Sequence, residues 1–292
     1  MQEVETADEV GEDGYAGDPN EIIDEFDDEV PEVEAEEQVE MEEQEQAPAP
    51  EYCIAINVRA RAIEIITEPE CVPGVYTELE KISPEQYATY GRRVRDSERD
   101  PNEDNCLWCE TCTAYFKPSC LPHPLYLVHD RVVTSGKADR ARSSLPGFLK
   151  IRTSRIPNAG YGVYTTVDIP VGCVFGPYEG LVKEEHCEVD KRGYAWELRL
   201  PGRSVYIDGI DSNRSNWMRF INSSRFESEQ NLVAFQYNGS VYYRVFRPID
   251  KDTELLVWYG AQYGEELGVM SIKPKQIKAS VMKPASKNPF IF

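Results

Sequence analysis

The body of this chain is predicted to be mostly β, with short helices, and three features predict it. First, two runs rich in β-branched and aromatic residues, Asn231–Tyr237 and Ser240–Phe246, flank Asn238-Gly239. Both turn residues tolerate positive φ, so Asn-Gly between such runs is a strong local hairpin signal. Second, short strand patterns recur at Val163–Thr166, Val174–Phe175, Tyr194–Leu200 and Ser204–Asp208, separated by turn signals such as Pro201-Gly202. Third, the apolar run Glu254–Tyr259 follows the turn-like Pro248–Asp252 and stops at Gly260. A short helical pattern, Ser215–Ile221, ends at Asn222 just before the hairpin.

Charge divides the chain before any fold does. Residues 1–50 hold 21 Asp/Glu and no Lys/Arg, which accounts for the whole net charge of −21. Removing them from the totals of 52 acidic and 31 basic residues leaves 31 of each, an electroneutral body. The acidic arm lacks periodicity and cannot bury enough apolar surface to offset chain entropy, so disorder is expected. It reads first as a solubilising tail and second as an arm that attracts a basic protein partner. No apolar run approaches the roughly 20 residues of a membrane helix, and no signal-peptide pattern opens the chain. No membrane association is expected.

In chain order, Tyr52–Val58 alternates like a strand and is expected to continue to Ile66, where Glu68-Pro-Glu and Val72-Pro-Gly break it. Ser83-Pro-Glu-Gln86 carries a Ser cap, a first-turn proline and a capping-box Gln, predicting a helix to about Val94. Arg95–Asn105 reads as a linker. Residues 51–104 are a small module or an added layer on the main domain. The remaining divisions are a cysteine–histidine knuckle at 105–124, the main domain at 125–268 and a basic flexible tail at 269–292.

The eight cysteines are clustered, which favours a reducing compartment and metal binding over a disulfide framework. Cys109, Cys112, Cys120 and His123 form C-x2-C-x7-C-x2-H. Two close pairs across a short loop can converge tetrahedrally on one Zn²⁺, with no position left for water, so the role would be structural. Cys106 offers an alternative pair with Cys109 and is taken as a spare thiol. Cys53 and Cys71 read as core thiols. Cys173, His129 and His186-Cys187 lack partners at metal spacing.

The stretches "NWMRFIN", "NLVAFQY" and "ELLVWYG", with "GYGVYTTVDIPVGCVFGPYEG" at Gly160–Gly180, resemble the PR/SET family of lysine methyltransferases. The resemblance covers about residues 105 to 268 in family order and lies nearest the meiotic member that marks recombination hotspots. It implies a SET-like fold of small curved sheets with a knot-like crossing, preceded here by the zinc knuckle and the acidic disordered arm. The matching Gly-x-Gly loop in the family cradles S-adenosylmethionine, which makes Gly160, Tyr161, Gly162 and Asn222 cofactor candidates. Asn222 could equally be a helix C-cap. Tyr178, Tyr243 and Tyr259 match the family's active-site tyrosines, with Tyr259 as the catalytic phenol. Among 17 tyrosines, any single one is more often a packing residue; the coincidence of three carries the reading.

The implied reaction is methyl transfer to a lysine of the histone H3 tail in the nucleus, lysine four first and lysine thirty-six second. Two departures from ordinary SET enzymes stand out. Asn222-Ser-Ser-Arg225 replaces their Asn-His-Ser-Cys, and no cysteine cluster follows Tyr259, so Ala261–Leu267 would help close the lysine channel. A catalytically silent interaction module is the competing reading. With no C-x2-4-C…H-x3-5-H finger array in the chain, direct sequence-specific DNA binding is not expected.

Overall fold

The computed structural model describes residues 50–99, 104–185 and 193–258. The acidic arm, His186-Cys187, Tyr259, the segment 261–267 and the basic tail all lie outside the described residues.

The first sheet is antiparallel and ordered β2-β1-β3, from β1 (Tyr52–Asn57), β2 (Ala62–Thr67) and β3 (Tyr76–Ile82). The single strand expected from Tyr52 to Ile66 is therefore two strands around a turn. Its cause is Asn57, whose Oδ1 accepts hydrogen bonds from the Arg59 and Ala60 amides at 3.1 and 2.9 Å, while Arg61 takes φ 53°. An asparagine that caps the two following amides nucleates a turn as it ends a strand.

Helix α1 (Pro84–Thr89) opens with the expected capping box: the Gln86 amide donates to Ser83 Oγ at 3.2 Å, and the Ser83 amide to Gln86 Oε1 at 2.8 Å. It stops five residues short of Val94. Gly91 takes φ +78°, and β4 (Arg92–Val94) leaves the helix to pair with a strand of the knuckle. A sheet partner distant in sequence outcompetes local propensity here.

The knuckle is a three-stranded sheet, β4-β6-β5, with β5 at Leu107–Cys109 and β6 at Ala114–Lys117. Beyond it come β7 (Tyr126–Val128), the single turn α2 (Arg140–Ser143), and the antiparallel pair β8 (Leu149–Thr153) and β9 (Tyr161–Thr165). Next are β10 (Cys173–Phe175) and a sheet ordered β11-β13-β12, from β11 (Leu181–Lys183), β12 (Ala195–Leu200) and β13 (Arg203–Asp208).

The last strands are β14 (Asn222–Ser223), β15 (Leu232–Tyr237), β16 (Ser240–Val245) and β17 (Leu256–Val257). They join β10 and β7 in a six-stranded sheet ordered β14-β17-β15-β16-β10-β7. β15 and β16 form the expected hairpin, Tyr237 pairing Ser240 across Asn238 (φ 45°) and Gly239 (φ 71°). β17 slots between β14 and β15, parallel to both. Asn231 stitches this crossing: its Nδ2 donates to Glu254 O at 2.8 Å and its Oδ1 accepts from the Leu256 amide at 2.9 Å.

The helix expected over Ser215–Ile221 contracts to a 3-10 turn, Trp217–Phe220, with extended residues at both ends. The Trp217 amide donates to Ser144 Oγ at 3.0 Å, so a tertiary partner replaces a further helical turn. Trp217 packs edge-on against Phe175 with ring centroids 5.4 Å apart, and Leu232, Val241, Tyr243 and Val257 complete the centre of the core. Ile54, Ile63 and Ile82 of the first sheet belong to the same core.

Two substitutions separate local from tertiary stabilisation. Ser83→Ala, which removes one capping bond, is expected to cost about 1 kcal/mol. Leu232→Ala, at a fully buried position, is expected to cost about 2–5 kcal/mol. Denaturant midpoints at unchanged m-value check both.

Candidate functional site

The segment Asn216–Asn222 touches both groups of residues that the sequence singles out. At its start, the buried Asn216 brackets Tyr178. Asn216 Nδ2 donates to Pro177 O at 2.9 Å, and its Oδ1 accepts from the Glu179 amide at 3.3 Å. Asp130 holds this corner from the other side, accepting from Asn216 Nδ2 at 2.8 Å and Trp217 Nε1 at 2.6 Å. Burial pushes the Asp130 carboxyl above the usual carboxylate range, against those two bonds, which lower it. Arg140 ties the same corner by pairing with Glu179 and donating to Ser215 O at 3.0 Å.

At the other end of the segment lie the cofactor candidates. Asn222 sits in β14, not at a helix C-cap, and its Nδ2 donates to Tyr161 O at 2.9 Å and Glu254 Oε1 at 3.2 Å. Tyr161 is half exposed, and its ring stands perpendicular to Phe220 at 6.4 Å, with the Arg142 guanidinium 4.5 Å from its centroid. Gly160 has φ +70°, and a Cβ there would meet no heavy atom within 4 Å. Gly162 is the reverse: a Cβ would lie 2.1 Å from Glu254 Oε1 and 3.3 Å from Asn222 Nδ2. Its glycine is demanded by close approach.

Glu254, which the sequence reading passed over, is the hub of this group. Its buried carboxylate accepts from Ser154 Oγ at 2.7 Å, the Arg155 amide at 3.1 Å, Tyr164 Oη at 2.8 Å and Asn222 Nδ2. Burial, then the bond to Glu254, pushes the Tyr164 phenol up, so that it stays a donor. The signal was a carboxylate at the leading edge of an otherwise apolar strand run. Buried charges persist when hydrogen-bonded this fully.

Two of the three candidate tyrosines come together. Tyr178 and Tyr243 are both buried, with ring centroids 6.3 Å apart. Tyr178 Oη donates to Tyr194 O at 2.6 Å, and Tyr243 Oη accepts from Trp196 Nε1 at 2.6 Å. Trp196, also missed from sequence, thereby fixes the orientation of one phenol. Tyr259, two residues beyond β17, is outside the described residues.

The knuckle residues form a separate cluster. The ligand atoms of Cys109, Cys112, Cys120 and His123 all lie within 4.8 Å of one another. His123 Nδ1 is 3.6, 3.4 and 3.6 Å from the three sulfurs in turn, and Cys112 and Cys120 sulfurs are 3.5 Å apart. A tetrahedron built on zinc–sulfur and zinc–nitrogen bonds has edges of about 3.6–3.8 Å, so the donor set fits such an ion. Cys106 stays out, its sulfur directed to Asn105 Oδ1 at 3.2 Å. The knuckle is fastened to the main sheet by Arg244, which donates to Trp108 O at 2.7 Å and pairs with Glu110. Burial lowers the Arg244 guanidinium to about 10.

Comparison with known proteins gives a consistent set. A family model described as "PR domain zinc finger protein 2, PR domain" matches residues 149–270. The Caenorhabditis elegans histone-lysine N-methyltransferase set-17 is 40% identical over 243 residues, 82% of this chain and 85% of that protein. Human histone-lysine N-methyltransferase PRDM7 is 45% identical over 182 residues, 61% of this chain and 37% of that protein. The solved methyltransferase domain of human PR domain-containing protein 2 is 29% identical, with a TM-score of 0.39 over 50% of this chain and 95% of that one.

Gly162→Ala forces a Cβ into the Glu254 carboxylate, whose four bonds leave it little room to yield. A loss of about 1–3 kcal/mol in unfolding free energy is expected. Gly160→Ala, which meets open space, is expected to carry only the strain of its own φ of +70° and no clash.

Proposed function

This chain belongs to the PR/SET family of histone-lysine methyltransferases, and we propose that it moves a methyl group from S-adenosylmethionine to a lysine of the histone H3 tail. Lysine four is the first candidate target and lysine thirty-six the second. The observation that supports this reading most is that one short segment, Asn216–Asn222, contacts both the Gly160–Gly162 loop and the Tyr178 corner. A cofactor pocket and a lysine channel must meet in that way for an in-line transfer.

The residues suit the cofactor. Gly160 leaves open backbone, Tyr161 offers an exposed ring, and Asn222 spends its Nδ2 on Tyr161 and Glu254 while its Oδ1 has no partner among the described residues. These would hold S-adenosylmethionine, which when bound supplies an electrophilic methyl on a sulfonium. The chain's own residues would do the rest. The acceptor amine has a free pKa of about 10.4 and must be neutral to attack. The buried rings of Tyr178, Tyr243 and Trp196 would disfavour its ammonium form and align its stem. Their faces would also accept a methylated ammonium. With Tyr178 donating to Tyr194 O and Tyr243 accepting from Trp196, the phenol oxygens would be pre-set to take hydrogen bonds from the amine. Tyr259 would supply the third, catalytic phenol. Zinc in the Cys109, Cys112, Cys120 and His123 set would be structural, and the protein would work in the nucleus.

Methyl transfer from labelled S-adenosylmethionine to recombinant histone H3 tests this, with wild type and Tyr259→Phe side by side. Transfer by the wild type, reduced about 100-fold in the variant, is expected for a lost positioning group. Mass spectrometry of the product then names the lysine. Folded protein that neither transfers methyl groups nor binds the cofactor would instead identify a silent PR domain acting as an interaction module.

A further inference from the structure

We propose a second metal site, in the first sheet and separate from the knuckle, formed by Cys53, Cys71 and Glu78 and suited to Zn²⁺ or a similar thiophilic divalent cation. The two sulfurs and a Glu78 carboxylate oxygen lie within 4.8 Å of one another. They come from three segments, so their convergence is a product of folding. Cys53 is on β1 and Cys71 follows the 3-10 turn Glu68–Glu70 after β2, while Glu78 is on β3.

Sheet register explains how the donors share a face. Ile54 turns into the hydrophobic core, so its neighbours Cys53 and Ala55 point to the opposite side. A bulge between Ile54 and Ala55 in the β1–β3 ladder leaves Ala55 opposite Glu78. Glu78 therefore stands on the Cys53 face. Cys71 is brought over that face by a loop fixed at both ends: the Glu68 amide donates to Glu51 O at 2.8 Å and the Val58 amide to Val75 O at 2.9 Å. Cys71's own amide is tied back to Glu68 O at 3.0 Å. The donors are held before any ion arrives.

The surroundings favour a cation over thiol redox chemistry. Cys53 is fully buried and lies against Cys71 and the Glu78 carboxylate. Oxidation needs access to the sulfur, and the buried Cys53 offers none. The same crowding of acidic and thiol groups is relieved by a divalent ion, with both thiol protons released to solvent on binding. Two sulfurs with one carboxylate are a donor set that zinc accepts. Three protein ligands leave a fourth position for water or an outside group, unlike the closed knuckle. Bound there, the ion would pin the 68–75 loop to β1 and β3.

Metal counting on the full chain tests the site. After dialysis against zinc sulfate and desalting, the wild type is expected to hold two zinc ions per chain by elemental analysis. Cys71→Ser, at a partly exposed position, should lose one and keep the other, with an unchanged circular dichroism spectrum. Should that variant not fold, Glu78→Gln, at an exposed position, probes the same ion. Even outer-shell changes cost about 10–100-fold in metal affinity, so at least a tenfold weakening of that one equivalent is expected. A single zinc ion in the wild type overturns the proposal, as do two ions retained at unchanged affinity in the folded variants.

Discussion

The carboxylate of Glu254 is the constraint from which the geometry around the Gly160–Gly162 loop and Asn222 follows. It is buried, and four donors from three separate stretches converge on it: Ser154 and Arg155 after β8, Tyr164 on β9, and Asn222 on β14. Burying a carboxylate is costly unless such bonds replace its water, and each donor is thereby committed to one position. The loop before β9 cannot drift from β14 without leaving that charge unsatisfied. Glycine at 162 is then a requirement, because any side chain would occupy the space of the carboxylate itself. Asn222 faces two ways for the same reason, with its amide nitrogen directed inward and its oxygen without a partner among the described residues.

A second constraint is the two-residue period of β16. Tyr243 and Arg244 are neighbours on one strand and so point to opposite faces of the sheet. Tyr243 meets Trp196 and Tyr178 on the core side, while Arg244 reaches Trp108 and Glu110 of the knuckle on the other. Fastening the knuckle thus also fixes the strand that carries a candidate phenol. Asp104 adds a second tether, its Oδ2 accepting from the Gly239 amide at 2.8 Å and Gln236 Nε2 at 2.6 Å at the hairpin tip. The knuckle, whose donor set fits a metal ion, is thereby joined to the strand that carries Tyr243 without contacting Tyr243 itself.

The first sheet joins this assembly through its apolar face, where Ile54, Ile63 and Ile82 enter the common core. A parallel bridge between Ala62 and Val171, with the Ile63 amide donating to Val171 O at 2.8 Å, ties its second strand to the main domain. Its other face carries the Cys53, Cys71 and Glu78 cluster.

What the sequence determined by itself were features set by neighbours in the chain. The Asn238-Gly239 hairpin, the Ser83–Gln86 capping box and the C-x2-C-x7-C-x2-H cluster all appear where local rules put them, because a turn, a cap and a short metal loop need only a few adjacent residues. The family motifs named the candidate residues for the same reason, as short contiguous strings. Tertiary structure decided the rest. The strand expected to Ile66 folds back at Asn57, the helix expected to Val94 yields Arg92–Val94 to the knuckle sheet, and the helix over Ser215–Ile221 shrinks to one turn held by Ser144. Glu254, Trp196 and Asn216 read in the string as an edge carboxylate, one more aromatic and a helix-start polar residue. Their roles depend on partners roughly 30 to 100 residues away, and local periodicity carries no information about which distant group a buried polar side chain must satisfy.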